Sequence, residues 1–561
     1  MMLVRNICAG LCLSAILGGS VMAQTQYDAA RLIDTDLIGT ARFVGMGGAM
    51  SALGGDISSI GSNPAGIGLF RRNDVSGTIS LNNARVKSNF EGLKGDDSRT
   101  IMSFDQIGVV FSNKIGNVTP VRYMNIAVNY RKQRNFNKKM AVYGNSLGMS
   151  LSDQIAWMTN HDEYGNALPL PISDYYKIYN DLSGNYYGDL WSDVSWLSVL
   201  GIQGGLVGPM IGPDFQEGDQ PLLDATGKPI TNQAGQPLYE YQYYEGIGGY
   251  ESEYKSRETG GVDVVDFNLS TNINDRVYLG ATLSFHDVNY KRSSAYTEYG
   301  EFEGTPTEFT LSNDFLTEGT GVDLKLGLIL RPFEESAFRM GLAVHTPTYY
   351  KLSDRHWASL SSSLDEYWGQ TDIAQIDYEL LTPWKVNLSL GHTIGSFLAL
   401  GAEYEYEDYS SAELRYNDGF EMAEENIWIE EDLKGVHTFR VGTEVKLVPE
   451  FCLRAGYNYS TATFENGAYK WLYPNTTRTD AEYENMLARN IFTLGMGYRV
   501  GQLYLDAAFQ YACQKSEFYP FDSAYSYEYA GIPYPSDNNL LPATKLTTER
   551  TQVHFTVGYR F

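Results

Sequence analysis

The last ten residues, QVHFTVGYRF (552–561), alternate without a break. Val553, Phe555, Val557, Tyr559 and Phe561 fall on one face, and Gln552, His554, Thr556, Gly558 and Arg560 on the other. A period of two puts successive side chains on opposite faces of a strand. About ten such residues with one apolar face are the unit of a transmembrane β-barrel. The same pattern recurs in Val322, Leu324, Leu326, Leu328 and Leu330 against Asp323, Lys325 and Gly327. It recurs again in Leu398, Leu400, Ala402, Tyr404 and Tyr406 against Glu403 and Glu405, and in Phe492, Leu494, Met496 and Tyr498 against Thr493, Gly495, Gly497 and Arg499.

Marking every such segment predicts strands at 74–85, 102–113, 121–133, 261–273, 276–291, 319–331, 338–350, 380–394, 397–412, 433–447, 450–464, 486–500, 502–516 and 548–561. That is about fourteen, an even number, as single-chain outer-membrane barrels have. Every second connection is a few residues, among them Asn274-Asp275, Gly395-Ser396, Pro449 and Gly501; the intervening ones are long, the longest from about Gln133 to Gly260. Short turns on one side and long loops on the other fit a barrel inserted from the periplasm. A soluble sandwich has no reason to sort its loops by parity. The expected fold is all-β: a transmembrane antiparallel barrel.

Ahead of the first strand lies ARFVGMGGAMSALGGDISSIGSNPAGIGLF (41–70), with Gly45, Gly47, Gly48, Gly54, Gly55, Gly61, Gly66 and Gly68. So many glycines make a poor helix and a poor strand. A coiled segment lodged in the lumen, a plug or hatch, fits better. Residues 1–23 read as a cleaved secretory signal: Arg5, an apolar run Ile7 to Leu17, and a small-residue site ending at Ala23. The layout is therefore signal 1–23, hatch 24–73 and barrel 74–561, with an extracellular insert at 134–260. Asn63-Pro64 is expected to form a fixed turn, and Gly45, Gly47 and Gly48 the pliable part facing a ligand pocket. Replacing Gly47 and Gly48 with Val is then expected to block movement.

The formal charge is -26, with 42 Tyr, 25 Phe and 56 Gly in 561 residues. Aromatics and glycine in such numbers suit aromatic girdles, and also soluble all-β proteins. The acidic balance argues against a nucleic-acid partner, whose phosphates would repel it. Cys8 and Cys12 leave with the signal; Cys452 and Cys513 fall near opposite rims, so both are expected as free thiols. Within the insert, Ser152–Thr159 and Asp189–Leu200 are helix-like, carrying Trp157, Trp191 and Trp196. These rings either cap a small core of the insert or present an apolar landing patch.

Several stretches resemble the FadL/TodX family of outer-membrane transporters for long-chain fatty acids and other hydrophobic compounds. They are Gly45-Met46-Gly47-Gly48-Ala49 followed by Asn63-Pro64-Ala65-Gly66, then Gly341 to Tyr350, and Thr382-Pro383-Trp384-Lys385 leading into Tyr404 to Tyr409. Tyr559-Arg560-Phe561 is similar to the ending that barrel-assembly machinery recognises. The resemblance implies a fourteen-stranded barrel with an N-terminal hatch, capturing hydrophobic ligand outside and releasing it past the hatch or sideways through a kinked third strand. Val121–Gln133 holds no Gly or Pro, which puts the sideways route in doubt.

Lumen-facing charges on the predicted strands include Asp266, Asp323, Lys325, Arg339, Lys385, Glu403, Glu405, Arg440, Glu444, Lys446, Arg454 and Arg499. A carboxylate ligand needs a cation in a partly dry pocket, which singles out Lys325, Arg339, Lys385 and Arg440. Alternatively these pair with Glu403, Glu405 and Glu444 to fill the interior. No Gly-x-Ser-x-Gly elbow and no metal spacing occur, and a Ser–His pair around His392 or His437 is a remote option. No enzyme, cofactor or metal is expected. The expected function is passive import of hydrophobic small molecules by a monomer in the outer membrane, in contact with its lipids. The alternatives are a surface barrel serving as a scaffold in secretion or adhesion, and a general porin, which a plugged lumen disfavours.

Overall fold

The computed structural model describes residues 24–116, 119–145, 149–162, 165–180, 194–213, 219–224, 227–302, 304–523 and 541–561. The expected signal at 1–23, and Trp191 in the insert, lie outside them.

Fourteen antiparallel strands close into a barrel. They are β1 (Asp74–Phe90), β2 (Leu93–Lys114), β3 (Val121–Asn135), β4 (Gly249–Ile273), β5 (Val277–Phe302), β6 (Thr305–Leu330), β7 (Arg339–His345 and Tyr349–Ser362), β8 (Ala374–Leu381 and Lys385–Ile394), β9 (Leu398–Asp408 and Glu413–Tyr416), β10 (Gly435–Val448), β11 (Phe451–Ser460), β12 (Tyr483–Val500), β13 (Leu503–Tyr519) and β14 (Thr544–Arg560). Each pairs with its neighbour in sequence, and β1 closes the ring on β14 from Asp74↔Arg560 to Asn89↔Lys545. Closure leaves no open edge, the condition for strands in a bilayer. The alternation is realised outward: Val553 is half-buried, and Phe555, Val557, Tyr559, Leu324, Leu326, Phe492, Leu494 and Met496 are exposed, the five of β6 and β12 at 39–61%. Their polar neighbours Asp323, Lys325, Thr493, His554 and Thr556 are buried in the lumen.

Three expectations about length change. The connections β1–β2 and β5–β6 are not loops: the strands continue beyond the membrane and turn tightly at Glu91-Gly92 and at the β5–β6 tip near Gly304. Strands need not end where the lipid ends, because cross-strand pairing continues in water. The insert is narrower than 134–260, since β3 reaches Asn135, a further strand Lys138–Asn145 pairs with β4, and β4 itself begins at Gly249. Finally, β7, β8 and β9 are each broken partway. Pro347 and Pro383 sit in the first two breaks, and a short 3-10 turn, Tyr409–Ser411, in the third. Proline has no N–H to give a ladder.

The insert is a roof. A helix at Leu151–Asn160 and another at Trp196–Gln203 bury Ile155, Trp157, Leu197 and Leu200 against Leu360, Phe518 and Phe521 of the barrel's outer end. Of the expected helix at 189–200, positions 189–193 lie outside the described residues, and the described helix is capped by Ser195. Trp157 is 5% exposed within this core and Trp196 9% exposed beside His356, so neither is a landing patch. Cys452 and Cys513 are free thiols.

Candidate functional site: the plugged lumen

The segment before β1 descends through the lumen. Its first helix, α1 (Gln26–Ile33), is capped by Thr25 and Asp28 and lies at the outer end. Ala29, Ala30, Leu32 and Ile33 pack there on Tyr350, Leu352, Tyr378, Leu380, Met422 and Ile429. Arg478 fixes it: its Nη1 donates to Asp28 Oδ2 at 2.9 Å and its Nε to Asp480 Oδ1 at 2.6 Å, every partner fully buried. Burial pushes the Asp28 carboxyl up, but the Arg478 and Arg31 guanidiniums outweigh it and hold it well below the usual carboxylate range.

Below α1 the chain forms a short helix, α2 (Ala41–Gly45), and two 3-10 turns, Ile57–Gly61 and Pro64–Leu69. Asn63 caps the second turn, accepting from Ala65 N at 3.1 Å and donating to Leu328 O at 3.3 Å, with Pro64 at its first position. This part of the backbone rests on wall glycines. A methyl group at Gly280 or Gly327 would overlap the Pro64–Ala65 peptide; at Gly401, the Ala49 carbonyl; at Gly442, Met46; at Gly456, Gly47; at Gly495 it would press tightly on Gly45. Gly401 is cross-strand partner to both Gly391 and Gly442, and Gly442 to Gly456, so these glycines form a continuous track. Only glycine lets two backbones approach so closely.

The track changes one expectation. Gly45 and Gly47 do not face the cavity but lie against Gly495 and Gly456 on the wall, while Gly48 lies against Leu37 and Arg440, two residues that line the cavity. Gly47 and Gly48 adopt φ of 65° and 83°, which side chains other than glycine rarely take.

Between the descending segment and the wall lies a cavity of about 150 Å³. The descending segment lines it with Leu32, Ile33, Leu37, Ile38 and Phe43 and with the carboxylates Asp34 and Asp36, and β3 and β6–β12 add further ionic groups. Lys325, Lys385 and Arg440 all line it. Each is already partnered: Lys325 Nζ with Asp323 at 2.5 Å, Lys385 Nζ with Glu407 at 2.8 Å, Arg440 with Glu405 at 2.9 Å and Glu403 at 3.5 Å. Arg489 meets Asp34 at 3.0 Å. Burial raises the Asp34 carboxyl, yet Arg134 and Arg489 together hold it below the ordinary range.

Arg339 is elsewhere. It donates to Leu53 O at 2.7 Å under the plug and does not reach the cavity. Glu444 pairs with Arg42 and Arg454, tying the segment to the lower wall, while Lys446 and Arg499 are exposed at the rim. His437 Nδ1 is hydrogen-bonded to the Tyr404 hydroxyl at 2.8 Å. His345 was missed by sequence reading: it lines the cavity and bonds Ser62 O at 3.0 Å. Its alternation with Ala343 on β7 was the available signal.

Residues 234–533 match the profile of the family described as outer membrane protein transport protein (OMPP1/FadL/TodX). Solved structures of similar shape include a FadL homologue from Pseudomonas aeruginosa, at 13% identity over 94% of this chain and 99% of that one, TM-score 0.48. The toluene transporter TodX of P. putida follows at 11% identity, 94% and 99% coverage and TM-score 0.44. The toluene transporter TbuX of Ralstonia pickettii stands at 12%, 94% and 99%, and 0.42. No curated protein matches the sequence.

Proposed function

This chain belongs to the OMPP1/FadL/TodX family of outer-membrane transport proteins, and from that premise we propose that it passively imports hydrophobic small molecules with a polar end, such as long-chain fatty acids. The observation that carries the reading is the mixed apolar and ionic lining of the cavity. An apolar tail has Leu32, Ile33, Leu37, Ile38 and Phe43 to lie on, and a polar head meets the ionic wall. The cavity lies inside a barrel whose lumen is filled, which suits binding and handover better than bulk flow.

Lys325, Lys385 and Arg440 are the cations a carboxylate would approach. Because each is paired, the head would share an existing ion pair instead of meeting a bare cation, a geometry in which affinity stays modest. Residues 24–73 act as the hatch, and Asn63-Pro64 as its fixed lower corner. Exported with its signal removed and inserted by the barrel-assembly machinery, the protein works as a monomer in the outer membrane.

The test is uptake of radiolabelled oleate by cells that lack other uptake systems. Cells carrying the protein should accumulate it above the empty-vector level, and porin-like conductance of the purified intact barrel would contradict the plugged reading. The scaffold alternative is favoured by no particular observation.

A further inference from the structure

With the signal cut after Ala23, the mature chain starts at Gln24, immediately before Thr25, the N-cap of α1. This start is enclosed. Gln24 is 4% exposed, and Thr25, Gln26 and Asp28 are buried with it. Gln26 Nε2 donates to Asp432 Oδ2 at 2.7 Å and to the Tyr469 carbonyl at 2.8 Å. The Tyr27 hydroxyl donates to Asn485 Oδ1 at 2.8 Å. The first residues of the plug are thus fixed between the loops and the wall.

An amino terminus is awkward in this place. Signal removal leaves an α-ammonium, and position 24 lies at the positive end of the α1 dipole. The nearest carboxylate along the chain is already engaged. Asp28 accepts from Thr25 N and Thr25 Oγ1, each at 3.0 Å, and from Arg478 Nη1 at 2.9 Å. Its other oxygen lies 3.0 Å from Arg31 Nη1. Asp432 is held by Gln26, and Asp480 by Arg478 and Lys470. Burying one more cation here without a partner of its own is costly.

The Gln24 side chain has a defect of its own. Its Nε2 is buried and finds no hydrogen-bond partner among the described residues, which is rare for a buried amide. One reaction removes both difficulties. The α-amine of an amino-terminal glutamine can attack its own Cδ. An N–Cδ bond forms, the Cδ–Nε2 bond breaks, and Nε2 leaves as ammonia with the proton that the amine gives up. The product is a cyclic lactam. Its α-nitrogen is uncharged, and the nitrogen that lacked a partner is gone.

We infer that the mature chain begins with pyroglutamate formed from Gln24, and that an uncharged terminus lets α1 seat in the outer end of the lumen. Cyclisation precedes enclosure, because Gln24 is out of reach once the plug is in place. The reaction is intramolecular and consumes no oxidant and no second substrate. It rests on cleavage after Ala23, as in the export reading above, and adds the chemical state in which the plug begins.

The test uses full-length precursor, expressed with its own signal and purified from outer membranes. The protein is denatured at neutral pH and its free amines are labelled isotopically before digestion, so that cyclisation during handling is told apart. Tandem mass spectrometry then reads the tryptic peptide ending at Arg31. The expected peptide starts at position 24, is lighter than the encoded one by a single ammonia, and carries no amine label. A labelled Gln24 overturns the modification and leaves the cleavage site standing. Asp354, whose carboxylate oxygens find no hydrogen-bond partner among the described residues, is the group such a retained ammonium would seek. A peptide starting at any other residue overturns the cleavage site, and the modification with it. In Gln24→Ala, its start confirmed by the same peptide, the terminus stays charged, and hydrogen exchange in residues 26–33 should be faster than in the parent. Exchange as slow as the parent's overturns the seating role.

Discussion

Gly401 of β9 lies directly against the carbonyl of Ala49, with no room for a single carbon between them. The contact is the centre of the glycine track, and it makes the plug's seat a property of the wall as much as of the plug. Adding a methyl by Gly401→Ala or Gly442→Ala should overpack the seat by about 1–3 kcal/mol and lift the segment while the barrel stays closed. Planar-bilayer conductance should rise above that of the intact protein. By the same geometry, Val at Gly47 and Gly48 would not lock a moving part. It would push the segment off Gly456 and Arg440 and force a side chain into positive φ. Leaky channels, not blocked ones, are expected.

The cavity's ion pairs should behave as structural. Arg440→Leu leaves Glu405 and Glu403 without their guanidinium, and stranding a buried charge costs about 3–5 kcal/mol. The double variant Arg440→Leu with Glu405→Gln should recover most of that loss. Thermal unfolding in detergent checks both; a single variant as stable as the parent would show that the pair carries nothing.

How much of this was legible beforehand follows from physical range. Alternation is local, so all fourteen wall segments could be read from it, and loop parity gave the closure. The glycines Gly327 and Gly495 stood in the lumenal phase of strands, yet their purpose needs the partner backbone from far away in sequence. Pro347 and Pro383 could have been read as ladder breaks, since proline cannot donate; they lay inside strands expected to run unbroken. Which cations meet at one cavity was half legible: Lys325, Lys385 and Arg440 converge, but Arg339 sits lower on its strand, a difference of height that alternation does not encode.

Arg478 should hold the outer end of the plug. Arg478→Ala leaves Asp28 and Asp480 buried together near Asp354, so α1 should loosen. Hydrogen exchange in residues 26–33 is expected to accelerate strongly, with β1–β14 unchanged; unchanged protection in α1 would refute the anchoring role.

Glu425 gives a pH dependence outside the membrane. It lies on the loop helix Ala423–Asp432, is buried, and neither carboxylate oxygen finds a hydrogen-bond partner among the described residues. Burial, aided by the charge of Glu424, pushes its carboxyl up to about 7. The folded helix therefore keeps a proton that the unfolded loop gives up. Its contribution to stability is full below the ordinary carboxyl range and declines by about 3 kcal/mol as pH rises to about 7. Glu425→Gln should remove this slope and slow exchange in the helix at neutral pH; a pH-independent parent would contradict it.

Oleate uptake is the most direct test of transport itself. Cells lacking other uptake systems would carry either the intact protein or a form without residues 42–70, at matched barrel levels in the outer membrane. The account predicts accumulation above empty vector with the intact protein, and altered, leak-like permeation without the segment. Accumulation at the empty-vector level with a correctly folded, intact barrel would contradict it.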